Sequence, residues 1–317
     1  MVKLRRIVPA LALIVPMLVA QDNRFHTESR VVLVPVTVLN EKGRPVDGLG
    51  TADFKLLDNN SAQEITVDPA GTGVAPISLI IAVQSNDISA AALTKVRRIG
   101  SLIQPLIIGD SGEAAVLSFD DEILWRQEFT NDPEAITRAL GEIQPGEQKK
   151  GRMLDALVEA TRAMRTRQGR KVVLIVSESR DRGSKTKLDA ALHAVEEAGV
   201  AIYAARYSAW ATPFTVKQTE LPPPPAPNLS AIFTEPARLG TTNTVRTLAQ
   251  STGGAEFGFL TRHSLETAIE KLAEEVHSQY ILSFRPRSPE PGLHKIDVEV
   301  LNHASVRVRW RQAYWAE

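Results

Sequence analysis

The sequence predicts an α/β fold, a doubly wound and mostly parallel sheet flanked by helices, beside a small antiparallel β unit built from N- and C-terminal segments. Three observations predict it. Ile77-Ser78-Leu79-Ile80-Ile81-Ala82-Val83 is an almost continuous apolar run, the pattern of a strand buried on both faces. Similar runs recur at Val172 to Val176 and Val200 to Tyr207, with helix-period segments between them, and that alternation implies parallel βαβ units. Before Pro76 and after Ser278 the pattern instead alternates residue by residue between Pro-, Gly- and Asn-containing turns.

From the N-terminus, Lys3, Arg5 and Arg6 precede an apolar stretch from Ile7 to Val19 that is short for a bilayer span and interrupted by Pro9 and Pro16. Ala20 then offers a small residue, so residues 1–20 read as a signal peptide cut after Ala20, and the expected location is secreted or periplasmic. No later segment is long and apolar enough to cross a membrane. The chain has no cysteine, which excludes a lipid anchor on a cysteine and any disulfide staple, so an exported chain must rely on its own core. Its 37 basic and 37 acidic side chains cancel, which gives no general pull toward nucleic acid or anionic lipid.

Residues 21–75 hold the first β segment. Val31 to Leu39 is a strand whose Pro35 requires an edge position or a bulge, and Asp53 to Leu57 and Gln63 to Val67 follow as strands around an Asp58-Asn59-Asn60 turn. The α/β domain is expected over 76–279. Asp87 or Ser89 can cap a helix with the apolar stripe Leu93, Val96, Ile99 and Ile103. Glu113 to Phe119 and Ile123 to Phe129 form a hairpin about Asp120-Asp121-Glu122, and Asp132-Pro133-Glu134 opens a helix. Leu154 to Met164 is a further helix, and Lys187 to Ala198 another that Gly199 ends. Residues 209–240, with Pro222 to Pro225, form a spacer-like insertion. Asn243 to Ser251 is a helix, Glu256 to Leu260 a strand, and Ser264 caps a helix through Val276. In residues 280–317, Tyr280 to Phe284, Lys295 to Val300 and Val306 to Trp310 are strands expected to pack with 31–67, because either set alone is marginal in water. Trp310, Tyr314 and Phe54 are the expected contacts.

Ile77 to Ser89, Ala114 to Phe119, Gly151 to Thr161 and Val172 to Glu178 resemble the four blocks of a von Willebrand factor A (VWA) domain. The flanks resemble the VWA-related proteins of the acidobacterial type. Val36-Thr37-Val38, the stretch Gly43 to Leu49 and Asp53 to Asn59 carry that likeness at one end; Leu248 to Gly254, Ser278-Gln279-Tyr280 and Arg311-Gln312-Ala313-Tyr314 carry it at the other. The resemblance implies a protein-binding domain with a Mg²⁺ site, made of one carboxylate and two hydroxyls on the first loop, a threonine on the second and an aspartate on the third. Here those positions fall on Gln84, Asn86 and Ile88, then Gly151 or Arg152, then Glu178. Asp87 is a possible substitute ligand, and Arg152 and Arg180 on the same rim would repel a cation.

The expectation is therefore a degenerate metal site in an exported, non-enzymatic protein-binding or assembly module, with no cofactor, no catalytic residue and no nucleic acid. Partner-binding candidates are Arg152, Arg180, Arg182 and Lys185, in the loops Lys149 to Met153 and Ser177 to Lys185 expected at the C-terminal strand edge. The rival readings are a Mg²⁺-dependent adhesion domain with rebuilt ligands, and an exported hydrolase. Ser177, Ser179 and Ser184 lack a G-x-S-x-G context, and the six histidines lack metal-ligand spacing.

Overall fold

The computed structural model describes residues 31–68, 75–207, 243–286, 290–303 and 305–316. The expected signal peptide (1–20) and the whole Pro-rich insertion (209–240) lie outside them. At the centre is a six-stranded sheet. Its strands are β5 (Ile77–Gln84), β6 (Glu113–Phe119), β7 (Ile123–Thr130), β8 (Arg170–Ser177), β9 (Val200–Tyr207) and β10 (Glu256–Phe259), in the order β10-β9-β8-β5-β6-β7. All neighbours are parallel except β7, which returns antiparallel to β6 as the hairpin expected from the sequence. This is the doubly wound order with its switch point between β5 and β8, where such sheets open a crevice at their C-terminal ends.

Every residue of β5 is buried, and its side chains divide by parity. Leu79, Ile81 and Val83 join one core with α1 (Ala90–Val96), α2 (Gly100–Ile103), α3 (Pro133–Glu142) and α7 (Arg262–His277). Ile80 and Ala82 join the opposite core with α4 (Met153–Met164), α5 (Leu188–Ala198) and α6 (Thr244–Ser251).

The stripe Leu93, Val96, Ile99 and Ile103 is buried as its spacing requires, but it does not lie on one helix. A 3-10 turn (Asp87–Ser89) precedes α1, and α2 passes into a π turn (Gln104–Ile108). Two local causes break it. Gly100 lies so close to α3 that a Cβ there would sit 2.6 Å from the Thr137 Cα, and Pro105 supplies no N–H to continue the ladder. The caps also differ from expectation. Asp132 caps α3 as predicted, accepting from the Glu134 N–H at 2.8 Å. Thr261, not Ser264, caps α7; the two hydroxyls exchange bonds with each other's backbone N–H, so the helix starts further upstream.

The two ends of the chain fold together as a sandwich. One sheet is β13-β1-β11-β4, from β1 (Val32–Leu39), β4 (Ile65–Asp68), β11 (Tyr280–Phe284) and β13 (Arg307–Trp310). The other is β14-β12-β2-β3, from β2 (Phe54–Asp58), β3 (Ser61–Ala62), β12 (Gly292–Val300) and β14 (Ala313–Ala316). Val34, Val36, Phe54, Leu56, Tyr280, Leu282 and Tyr314 share its core, with Trp310 packed at the margin. β3 and β14 were not foreseen, because runs this short carry no period. Pro35 sits at a local edge: β13 pairs with β1 only from Val36 onward, so no partner on that side needs its missing N–H.

The residues that carried the C-terminal resemblance line the seam between sandwich and α/β unit. The Gln312 N–H donates to the Ser251 carbonyl at 3.0 Å, and Thr252 bridges Arg311. Gln279 Nε2 donates to Thr37 Oγ1 at 3.2 Å and to the Tyr203 hydroxyl at 3.0 Å, tying both units together.

Candidate functional site

The positions mapped onto the metal site converge at the C-terminal ends of β5 and β8 and the start of α4. Gln84 closes β5 and Glu178 follows β8. Gln84 Oε1 accepts from the Glu178 N–H at 3.0 Å, and Gln84 Nε2 donates to Asn86 Oδ1 at 2.9 Å. Gly151 lies against them: a Cβ there would fall 2.8 Å from Gln84 Nε2 and 3.6 Å from Asn86 Nδ2, so the absence of a side chain permits the approach. Gln84, Asn86 and Glu178 are buried, Ile88 is half-buried, and Asp87 is exposed.

Two further residues complete this network, and the sequence reading did not identify their role. Ser89 Oγ donates to Asn86 Oδ1 at 2.8 Å and shares a 2.8 Å hydrogen bond with the Tyr207 hydroxyl at the end of β9. The sequence offers Asp87 or Ser89 as a helix cap, but neither side chain caps the turn or helix that follows. The available signal was a polar tip, Tyr207, ending an otherwise apolar strand. Such a hydroxyl needs a partner when buried.

The donor set does not fit Mg²⁺. The Gln84 carbonyl oxygen and the Asn86 carbonyl oxygen already accept hydrogen bonds, and Ile88 has no donor atom. The one mapped carboxylate, Glu178, pairs with Arg182 at 2.5 Å. Burial pushes the Glu178 carboxyl above its ordinary value, against the pull of Arg182 and Arg180, the reverse of what a cation ligand needs. Among the described residues no group of three or more His, Cys, Asp or Glu is placed to hold a metal ion.

Beside this network the loop after β8 is stitched to the N-terminus of α4. Asp181 Oδ1 accepts from the Leu154 N–H at 3.0 Å, and Ser184 Oγ from the Asp155 N–H at 3.1 Å. Asp155 returns the bond, accepting from the N–H groups of Lys185 (3.0 Å) and Thr186 (2.8 Å). The helix thus finds partners for its free N–H groups in another segment. Burial opposes ionisation of Asp155, but the bonds from Thr186, Lys185 and Arg152 outweigh it and hold its pKa at about 2. A carboxyl depressed in this way contributes stability above its ordinary pKa, which is lost as pH falls through about 2. Asp155→Ala is therefore expected to cost about 2 kcal/mol at neutral pH and to raise the protease sensitivity of the 181–187 loop. Equal stability and cleavage in variant and parent would refute this.

The four partner-binding candidates are placed differently. Arg152 is half-buried, donating to the Asp155 carboxylate at 2.8 Å and the Asp121 carbonyl at 2.9 Å, so it braces the loops. Arg182 is engaged by Glu178 across an otherwise exposed position. Arg180 and Lys185 are exposed, and among the described residues neither side chain forms an ion pair. The acidic hairpin tip is structural: Asp120 Oδ1 accepts from the Glu122 N–H at 2.8 Å within the turn, and Asp121 pairs with Lys150 at 2.7 Å. Ser177 is buried and donates to the Glu178 carbonyl, and among the described residues it has no histidine partner.

No model of a known protein family matches the chain, and no curated protein matches it. Solved structures do. The chain is similar to von Willebrand factor A domains. A von Willebrand factor type A protein from Catenulispora acidiphila shares 10% identity, with 92% of this chain and 76% of that chain covered at a TM-score of 0.48. BatB from Bacteroides thetaiotaomicron shares 15%, covering 62% of this chain and 99% of its own at 0.44. The vWF domain of the type V pili tip protein Mfa5 from Porphyromonas gingivalis shares 10%, covering 64% and 95% at 0.42. Among the described residues no helix is long and apolar enough to cross a membrane.

Proposed function

We propose that the chain is an exported, non-enzymatic protein-binding or assembly module whose loop face works without a metal. The observation that carries this reading is the closed network of Gln84, Asn86, Ser89 and Tyr207, with Glu178 engaged by Arg182. Side chains that would face a cation satisfy one another instead, so the loops are held in place by hydrogen bonds. The stitching of 181–186 onto α4 presents Arg180 and Lys185 from a fixed backbone, and an interface ordered in advance loses less entropy on binding. A protein partner with acidic groups suits those cations, and its binding would weaken with salt.

The deciding experiment is thermal melting of the protein with and without millimolar Mg²⁺, Mn²⁺ or Ca²⁺. No shift is expected. A site filled at a hundred times its Kd would add about 2.7 kcal/mol, which is readily seen. A metal-dependent rise abolished by Asp87→Ala or Glu178→Ala would instead establish a rebuilt adhesion site.

A further inference from the structure

The seam between the α/β unit and the sandwich holds charges that the loop face does not use. Two carboxyl groups of the α/β unit, Glu196 on α5 and Glu275 on α7, meet Arg309 on β13 and Arg311 in the link from β13 to β14. Arg309 pairs with Glu275 at 2.6 Å. Arg311 donates to the backbone carbonyls of Glu196 at 2.7 Å and Ala313 at 3.0 Å. The Glu196 side chain is the anomaly. The residue is 4% exposed, and neither carboxyl oxygen receives a hydrogen bond. It lines a small cavity with Pro35, Gly199, Thr252, Arg311 and Ala313, directly beneath the docked segment. An ionised carboxylate without donors is costly in such a place, whereas a protonated one is tolerated.

We propose that this seam is a proton-controlled clasp: protonated Glu196 lets the β13–β14 segment dock against α5 and the end of α6, and ionisation of Glu196 loosens it. Burial raises the Glu196 carboxyl to about 7, with Arg311 pulling the other way. Burial also raises Glu275 against the pull of Arg309. Glu196 therefore stabilises docking fully below the ordinary carboxylate range, and that contribution is lost as pH rises through about 7, whereas Glu275 keeps Arg309 as its charge partner. The surrounding charges do not offset this. On α5, Glu197 is engaged by Arg165, just past the end of α4, at 2.8 Å, and His193 packs at a tilt against Trp315 of β14. Lys171 of β8 donates to the Ala198 carbonyl at 3.2 Å. Around Glu275 stand Arg170 of β8, Tyr203 of β9, and Glu274 and Lys271 of its own helix. The clasp has a route to the loop face, because α5 begins just after Thr186 and the Val245 N–H of α6 points to the Ser179 carbonyl at 3.5 Å.

Hydrogen exchange of the full chain tests the clasp through the Gln312 amide, which donates to the Ser251 carbonyl. After correction for intrinsic exchange, its opening is expected to rise on the order of tenfold between about pH 5.5 and about pH 8. Amides of Val173 and Ile175 in β8 should stay unchanged. Glu196→Gln should flatten the Gln312 response; if it does not fold, Glu196→Met carries the same expectation. A pH-independent Gln312 amide, a pH response that survives both substitutions, or β8 amides opening by the same factor would each overturn the proposal.

Discussion

Gly254→Ala is expected to lower stability by about 3 kcal/mol, a large loss for one methyl group. The added Cβ would fall 1.9 Å from the Ile202 carbonyl oxygen and 2.8 Å from its carbon, both backbone atoms of β9. Relief requires moving the strand or the turn, and the turn is fixed from both sides. The Gly254 N–H donates to Ala249 at 2.9 Å, and its carbonyl accepts from Arg309 at 3.3 Å. Gly253 is equally confined, with φ near 79° and a would-be Cβ 2.7 Å from the Trp310 carbonyl carbon. Urea unfolding followed by far-UV circular dichroism measures the loss. Gly141→Ala is the control: nothing lies within 4 Å of its Cβ position on α3, so the change should be neutral or stabilise by up to about 1 kcal/mol. Equal midpoints for the two variants would show that the turn between α6 and β10 yields easily.

His294→Ala should cost about 3 kcal/mol, because it strands a buried carboxylate. His294 Nδ1 faces Asp58 Oδ1 at 2.8 Å, Nε2 faces the Glu290 carbonyl at 2.7 Å, and the Tyr314 hydroxyl donates to Asp58 Oδ2 at 2.9 Å. A carbonyl on one ring nitrogen and a carboxylate on the other favour the doubly protonated imidazolium. Burial works against that charge, but the Glu290 carbonyl and Asp58 prevail and raise the His294 pKa. The stability it contributes is therefore complete below the ordinary histidine value and fades as pH rises through the raised one. The variant should lose this pH dependence. Adding Asp58→Ala should cost less than the sum of the single losses, since no buried charge remains unpaired. A single variant within about 0.5 kcal/mol of the parent would show that the pair contributes nothing net.

Much of this architecture was legible in the sequence, because strand and helix periods are local. The run from Ile77 to Val83 could only be a strand covered on both faces, and the alternating ends, too short to stand alone, had to find each other. That Ile88 brings no donor atom was also readable, wherever it is placed. Other features depended on distance in space. The break in the helical stripe came from α3 crowding Gly100, and the cap of α4 came from Asp181 and Ser184, far along the chain. Of the four cations expected to meet a partner, Arg152 and Arg182 proved to be held by Asp155 and Glu178. A sequence records which groups a chain carries and how often they repeat. Which polar group satisfies which is decided only when burial removes water as the alternative partner, as at Ser89 and Tyr207, or at Glu196 where no partner comes.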